Sequence, residues 1–286
     1  MTVCGVCFRH CDIGEGETGF CGARSCSAGK VYPSNYGKVT SLALDPVEKK
    51  PLARFRPGSL VLSVGSYGCN LRCPFCQNSE ISWSEEAFSF SEKADTVAPE
   101  DLVTIAERYK NDGNIGLAFT YNEPLIGYEF VRDTAKLSHE KGMLNVMVTN
   151  GTAELTVLSE LIPHIDAMNI DLKGFTDRYY KEVLGGDREM VMDFIREAVK
   201  KCHVELTTLV IPGENDSVEE MSELSGWVSE LKDEEGARIG RSVPLHVTRF
   251  FPSFRMTDRS PTEAERIYML ADAARENLDY VYTGNL

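Results

Sequence analysis

Gly68-Cys69-Asn70-Leu71-Arg72-Cys73-Pro74-Phe75-Cys76-Gln77-Asn78 is the stretch on which the reading of this chain turns. Three residues separate its first two cysteines and two separate the second pair. Thiolates so placed converge on one soft metal centre from a single loop. Iron–sulfur clusters are held by Cys thiolates, usually four, so a run that supplies three leaves one iron open to another ligand. A structural zinc knuckle or scattered buried thiols are the plainer alternatives. The rest of the chain decides between them.

A β-rich run, Leu60-Val61-Leu62-Ser63-Val64, leads straight into the loop. From residue 59 onward, strand and helix patterns alternate. Further strands are expected at 115–120, 144–148, 167–172, 204–211 and 245–250, with a short one at 280–282. Helices are expected at about 98–111, 125–141, 152–162 and 217–232, with helical segments between 176 and 200. The last long helix reads as capped by Ser260, with Pro261 first and Glu263 three residues after the cap. Repeated strand–helix units imply right-handed crossovers and a parallel sheet. The expected fold is α/β: a partial or nearly closed barrel of about six parallel strands over residues 59–286, with its chemistry at the C-terminal strand ends.

Residues 1–58 read as a Cys-rich segment followed by a connector. Eight of the nine cysteines fall within the first 76 residues. The N-terminus lacks a basic region followed by an apolar stretch, so a secretory leader is not expected. In such a chain, cysteines point to metal ligation more than to disulfides. Cys4, Cys7, Cys11 and Cys21 fit a tetrahedral structural zinc first, with a second iron–sulfur cluster as the alternative and a flexible thiol-rich tail as the bland reading. The connector, with Lys49, Lys50, Arg54 and Arg56, reads as a solvated basic face. A formal charge of −14 argues against a general nucleic-acid binder. No apolar run is long enough to span a membrane, and a cytoplasmic, anaerobic or reducing setting is expected.

Polar residues cluster where the strands end. The second strand ends in Thr120-Tyr121-Asn122-Glu123-Pro124. A carboxylate there accepts from the ammonium of an amino-acid-like ligand, or caps the next helix. The third ends in Thr149-Asn150-Gly151, able to bind a ligand or cap a helix. On the fourth, alternation places Asn169, Asp171 and Lys173 on one face. Polar groups inside a barrel are costly unless paired or liganded. The sixth carries His246 and Thr248 on one face, with Arg249 beside them.

Taken together, these motifs resemble the radical S-adenosylmethionine (SAM) superfamily, and within it the radical SAM enzymes of the AmmeMemoRadiSam system, relatives of the pyruvate formate-lyase activating enzymes. The resemblance rests on the cysteine loop, Cys4-x-x-Cys7, Glu48-Lys49-Lys50-Pro51-Leu52, Tyr121-Asn122-Glu123-Pro124, Asp171-Leu172-Lys173, Ile211-Pro212-Gly213 and Arg249-Phe250-Phe251-Pro252. It implies that Cys69, Cys73 and Cys76 hold a [4Fe–4S] cluster whose open iron binds SAM. Phe75 would meet the adenine, and Asn78, Asn122, Glu123, Thr149 and Asn150 would line the SAM site. Asp171 and Lys173 would face its carboxylate and ribose, with His246 at the ribose and Arg249 toward an anionic substrate. A reduced flavodoxin or ferredoxin would supply one electron. A 5′-deoxyadenosyl radical would then take hydrogen from a protein of the glycyl-radical type or from a small molecule. Cleavage of SAM at a different C–S bond, SAM consumed as the substrate itself, or a non-catalytic electron-transfer or scaffold protein are the other expectations.

Overall fold

A computed structural model describes residues 1–286, the side chains of Ser91 and Glu92 excepted. Eight strands form the main sheet. They are β1 (Ser41–Pro46), β2 (Leu60–Gly65), β3 (Asn114–Phe119), β4 (Leu144–Thr149), β5 (Ala167–Asp171), β6 (His203–Val210), β7 (Leu245–Arg249) and β8 (Val281–Gly284). In space they follow the same order as in the chain. β2 to β8 pair in parallel, and β1 pairs antiparallel with β2, Ser41 opposite Gly65 and Pro46 opposite Leu60. Parallel pairing requires crossovers. The helices Pro99–Arg108, Tyr128–Glu140, Leu155–Leu161, Arg188–Ala198, Val218–Ser229 and Ala264–Arg275 supply them or, for the last, lead into β8.

The helices bury one stripe each against the outer face of the sheet. Leu102, Val131, Phe194, Leu224 and Leu270 meet Leu117, Met147, Ile170, Leu206 and Val247 in one apolar core. The inner face is lined by small residues, Ala118, Val146 and Ala167, and the space they leave is filled by Val47 and Leu52. Lys49, Arg54 and Arg56 of the connector are exposed, as a solvated basic face requires, but its fourth cation is not. Its Lys50 is buried and donates to Asp45 Oδ2 at 2.9 Å. Asp45 also accepts from Lys49, Ser63 and Tyr121. Burial raises the Asp45 carboxyl, but these donors outweigh it and hold the group well below the usual carboxylate range. The segment expected as 1–58 thus contributes an edge strand to the barrel sheet and a plug to its interior.

The last helix starts later than the sequence suggests. It runs Ala264–Arg275 with Glu263 at the cap position. Thr262 donates its hydroxyl to Val210 O at 2.7 Å, and residues 260–262 stay outside the helix. Ser260 is therefore not the cap. The N-terminal segment forms two small hairpins, Thr2–Val3 with Asp12–Ile13 and Arg24–Ser27 with Lys30–Pro33. It docks on the barrel through Arg24–Glu129 at 2.7 Å and through the Glu154 N–H donated to Val6 O at 2.9 Å. Among the described residues, no helix is long and apolar enough to cross a membrane.

Candidate active site

The cysteine loop leaves β2 at the C-terminal edge of the sheet, where β3, β4 and β5 also end. Two asparagines fix it there. Asn122, just past β3, accepts from Ser66 N–H at 3.0 Å and donates to Tyr67 O and Gly68 O. Asn150, just past β4, donates to Asn70 Oδ1 at 2.9 Å and toward Cys69 Sγ at 3.8 Å. Tyr121 adopts φ +74°, a conformation costly for a residue with a side chain. The turn sends its ring back into the barrel to reach Asp45 and leaves Asn122 and Glu123 at the rim.

One cavity opens at this edge. It is lined by Cys69, Cys73, Cys76, Phe75, Asn78, Asn122, Glu123, Asn150, Asp171 and Lys173, among others. Most residues expected at the site are therefore brought together. Phe75 is buried and packs edge-on against Phe250, ring centroids 6.5 Å apart. Asn78 donates to Tyr121 O at 2.9 Å. Glu123 is buried and accepts from Thr149 Oγ1 at 2.6 Å, Asn150 N–H at 2.8 Å and Leu125 N–H at 3.0 Å. Burial pushes its carboxyl up to about 7, against the pull of those three donors. Lys173 Nζ donates to Asp171 Oδ2 at 2.7 Å. Burial pulls the ammonium down, but the Asp171 carboxylate outweighs it and the group titrates above its ordinary value.

Three expected residues stand elsewhere. Thr149 reaches Glu123 and lies behind it, not on the cavity wall. His246 is the second residue of β7, deep in the barrel, where its Nε2 meets Glu205 Oε2 at 2.7 Å and its ring stacks on Tyr282. Arg249 turns to Thr262 O and to the face of Phe251. Two residues at the site had no sequence signal. Tyr180, in the π-helical turn Tyr179–Leu184, accepts the Lys173 N–H at 3.1 Å. Ser82 lines the cavity and hydrogen-bonds Cys76.

With this geometry in place, the chain can be set beside known proteins. The profile of the Radical SAM superfamily matches residues 63–225. The chain belongs to the radical SAM superfamily. Protein MJ0808 of Methanocaldococcus jannaschii is 42% identical over 286 residues, covering 99% of this chain and 81% of that protein. The pyruvate formate-lyase-activating enzyme of Clostridium pasteurianum is 26% identical over 184 residues, 63% of this chain and 72% of its own. The solved structure of Streptococcus suis SuiB bound to S-adenosylmethionine shares the fold with a TM-score of 0.54 at 13% identity, over 77% of this chain and 48% of SuiB.

A [4Fe–4S] cluster and SAM are thus the cofactors of this radical SAM protein. The chemistry of the donor set fits them. Burial pushes the Cys69 thiol well up, Cys73 up to about 12, and Cys76 up as well. Protonated, apolar-surrounded thiols give up their protons on metal ligation. Leu71 N–H already points at Cys69 Sγ at 3.4 Å, and Lys173 places positive charge near Cys73 and Cys76. In the same cavity, Glu123 and Lys173 present a carboxyl and an ammonium to a ligand that carries both an ammonium and a carboxylate.

Proposed function

We propose that this chain cleaves SAM reductively to a 5′-deoxyadenosyl radical, which takes a hydrogen atom from a polypeptide of the glycyl-radical type. The observation that carries the first half is the convergence of Cys69, Cys73 and Cys76 with Glu123 and the Asp171–Lys173 pair on one strand-end cavity. Similarity to activating enzymes supports the second half. When bound, the cluster supplies one electron to the sulfonium of SAM. Asn122 and Asn150 hold the loop rigid, so the thiols do not wander during turnover. Glu123 receives the ammonium of SAM, Lys173 its carboxylate or ribose, and Asp171 orients Lys173. Phe75 and Leu209 give the cavity an apolar wall, with Phe75 toward the adenine. A reduced flavodoxin or ferredoxin is the electron donor.

The test is anaerobic incubation of reconstituted protein with SAM and dithionite. Equal amounts of 5′-deoxyadenosine and methionine support the reading. Methylthioadenosine in their place shows cleavage at another C–S bond and contradicts it. Adding protein extract grown on α-deuterated glycine tests the substrate. Deuterium in 5′-deoxyadenosine from the protein fraction supports a polypeptide, and deuterium only from a labelled small-molecule fraction contradicts it.

A further inference from the structure

The site described above leaves four buried or half-buried thiols unused: Cys4, Cys7, Cys11 and Cys21. They come from two loops of the N-terminal segment and line one small cavity with Val6, Ile13, Ile126, Arg9 and Arg24. The fifth cysteine of the segment, Cys26, lies in the hairpin Arg24–Pro33 and does not line it. The backbone around the four is drawn tight. Cys4 N–H donates to Cys11 O at 2.8 Å and His10 N–H to Cys7 O at 3.1 Å, with His10 at φ +40°. Four sulfurs around one such space form a donor set for a thiophilic metal.

The layout of the sulfurs says which kind. Among the described residues, no three Cys, His, Asp or Glu groups converge on one point as a single ion requires. The same holds for Cys69, Cys73 and Cys76, whose partner is a [4Fe–4S] cluster. In a [4Fe–4S] cluster each thiolate takes its own iron, so the sulfurs stand around a space instead of meeting at a point. The N-terminal four likewise line one space without forming a single-ion site.

The cavity is also joined to the cysteine loop. Cys69 N–H donates to Cys21 O at 3.2 Å. Asn70 hydrogen-bonds Cys7 and accepts from Asn150, which in turn reaches Cys69 Sγ. Two guanidinium groups stand between the sites. Arg9 donates to Asn70 O at 2.8 Å, Arg72 to Cys69 O at 2.8 Å, and both stack on Phe20, at 3.3 and 3.8 Å from its ring centroid. They supply positive charge where two thiolate-bound centres would otherwise repel each other.

We propose that Cys4, Cys7, Cys11 and Cys21 hold a second iron–sulfur cluster, in electronic contact with the cluster of the Cys69 loop. Per turnover, one electron enters from a reduced one-electron carrier and one leaves to the loop cluster, so the second centre returns to its starting state. The proposal stands whatever the substrate of the enzyme, because its test counts metal and reads spectra without turnover.

The experiment uses the full chain, reconstituted anaerobically with iron and sulfide. By cluster stoichiometry the wild type should hold about eight iron and eight sulfide, with no stoichiometric zinc. The Cys69→Ala/Cys73→Ala/Cys76→Ala variant should keep about four of each, and its reduced paramagnetic signal should not respond to SAM. The fully reduced wild type should show spin–spin broadening that vanishes in this variant and in Cys11→Ser. About four iron with one zinc in the wild type would overturn the proposal, as would native alkylation of all four N-terminal thiols. These two readings need no variant, so a misfolded mutant cannot rescue the idea. Two clusters without mutual broadening would overturn the electronic contact.

Discussion

Replacing Lys173 tests the binding role of the segment that leaves β5. The Lys173 ammonium spends one donor on Asp171 at 2.7 Å, while the backbone N–H of the same residue goes to Tyr180. The ammonium has three donors, so two remain for a ligand in the cavity it lines. A charge-assisted hydrogen bond is worth about 1.5–3 kcal/mol, so Lys173→Ala should weaken SAM binding by roughly ten- to a hundredfold. The side chains of Lys173 and Asp171 are 17% and 28% exposed, so the lone Asp171 left behind is poorly screened and pushes in the same direction. Asp171→Asn keeps the shape and removes the charge. Its effect reports how far Lys173 depends on orientation. The double variant Asp171→Asn/Lys173→Met decides between two accounts. If the pair only neutralises itself, the double variant recovers wild-type affinity. If Lys173 answers the carboxylate or ribose of SAM, the double variant stays at least about tenfold weak. The assay is anaerobic SAM titration at matched iron content. Unchanged affinity in Lys173→Ala, or recovery in the double variant, refutes the reasoning.

Other outcomes rest on the same structure. Glu123 is raised to about 7, so its protonated form is favoured in the fold; its stabilising effect is full below about pH 4.5 and is lost as pH rises through 7. An ammonium seated on it restores an ordinary carboxylate, so SAM should bind about tenfold more tightly at pH 8 than at pH 6, and Glu123→Gln should flatten that slope. Glu205 behaves in the opposite sense. Burial raises it, but His203, His246 and the N–H groups of Ala53 and Arg54 hold it at about 2, so its contribution is present above about pH 4.5 and lost as pH falls through 2. Glu205→Ala should destabilise the fold by about 3–5 kcal/mol in chemical denaturation at pH 7, with SAM contacts untouched. At Gly68, φ is +91° and a Cβ would stand 2.7 Å from Cys21 O. Gly68→Ala should therefore cost more than about 2 kcal/mol and lower iron retention on gel filtration.

Much of the site was legible because its signals are local. The spacing of Cys69, Cys73 and Cys76 is a property of one loop, and alternation points to the Asp171–Lys173 pair although β5 ends at Asp171 and Lys173 lies just past it. Alternation gives the face of a strand but not the depth. His246 faces inward as expected, yet the second residue of β7 sits far below the strand end, and Glu205 claims it. Arg249 ends β7, but the nearest carbonyl, Thr262 O, comes from the loop after the strand, which no periodicity announces. The edge strand Ser41–Pro46 was hidden for a different reason. Its Asp45 and the following Lys49 and Lys50 read as solvent-facing charge, and only the fold turns Asp45 and Lys50 inward to pair beneath Tyr121. Tyr180 belongs to the same class, since its contact with Lys173 depends on a π-helical turn.

The most direct test of the central claim is electron paramagnetic resonance of the dithionite-reduced, reconstituted protein with and without SAM. If SAM binds the open iron held by Cys69, Cys73 and Cys76, adding it shifts the spectrum of the reduced wild type. The Cys69→Ala/Cys73→Ala/Cys76→Ala variant then shows no SAM-dependent change. A spectrum that responds to SAM in the triple variant, or one in the wild type that ignores SAM at saturating concentration, would contradict the assignment of this loop and cavity as the SAM-cleaving site.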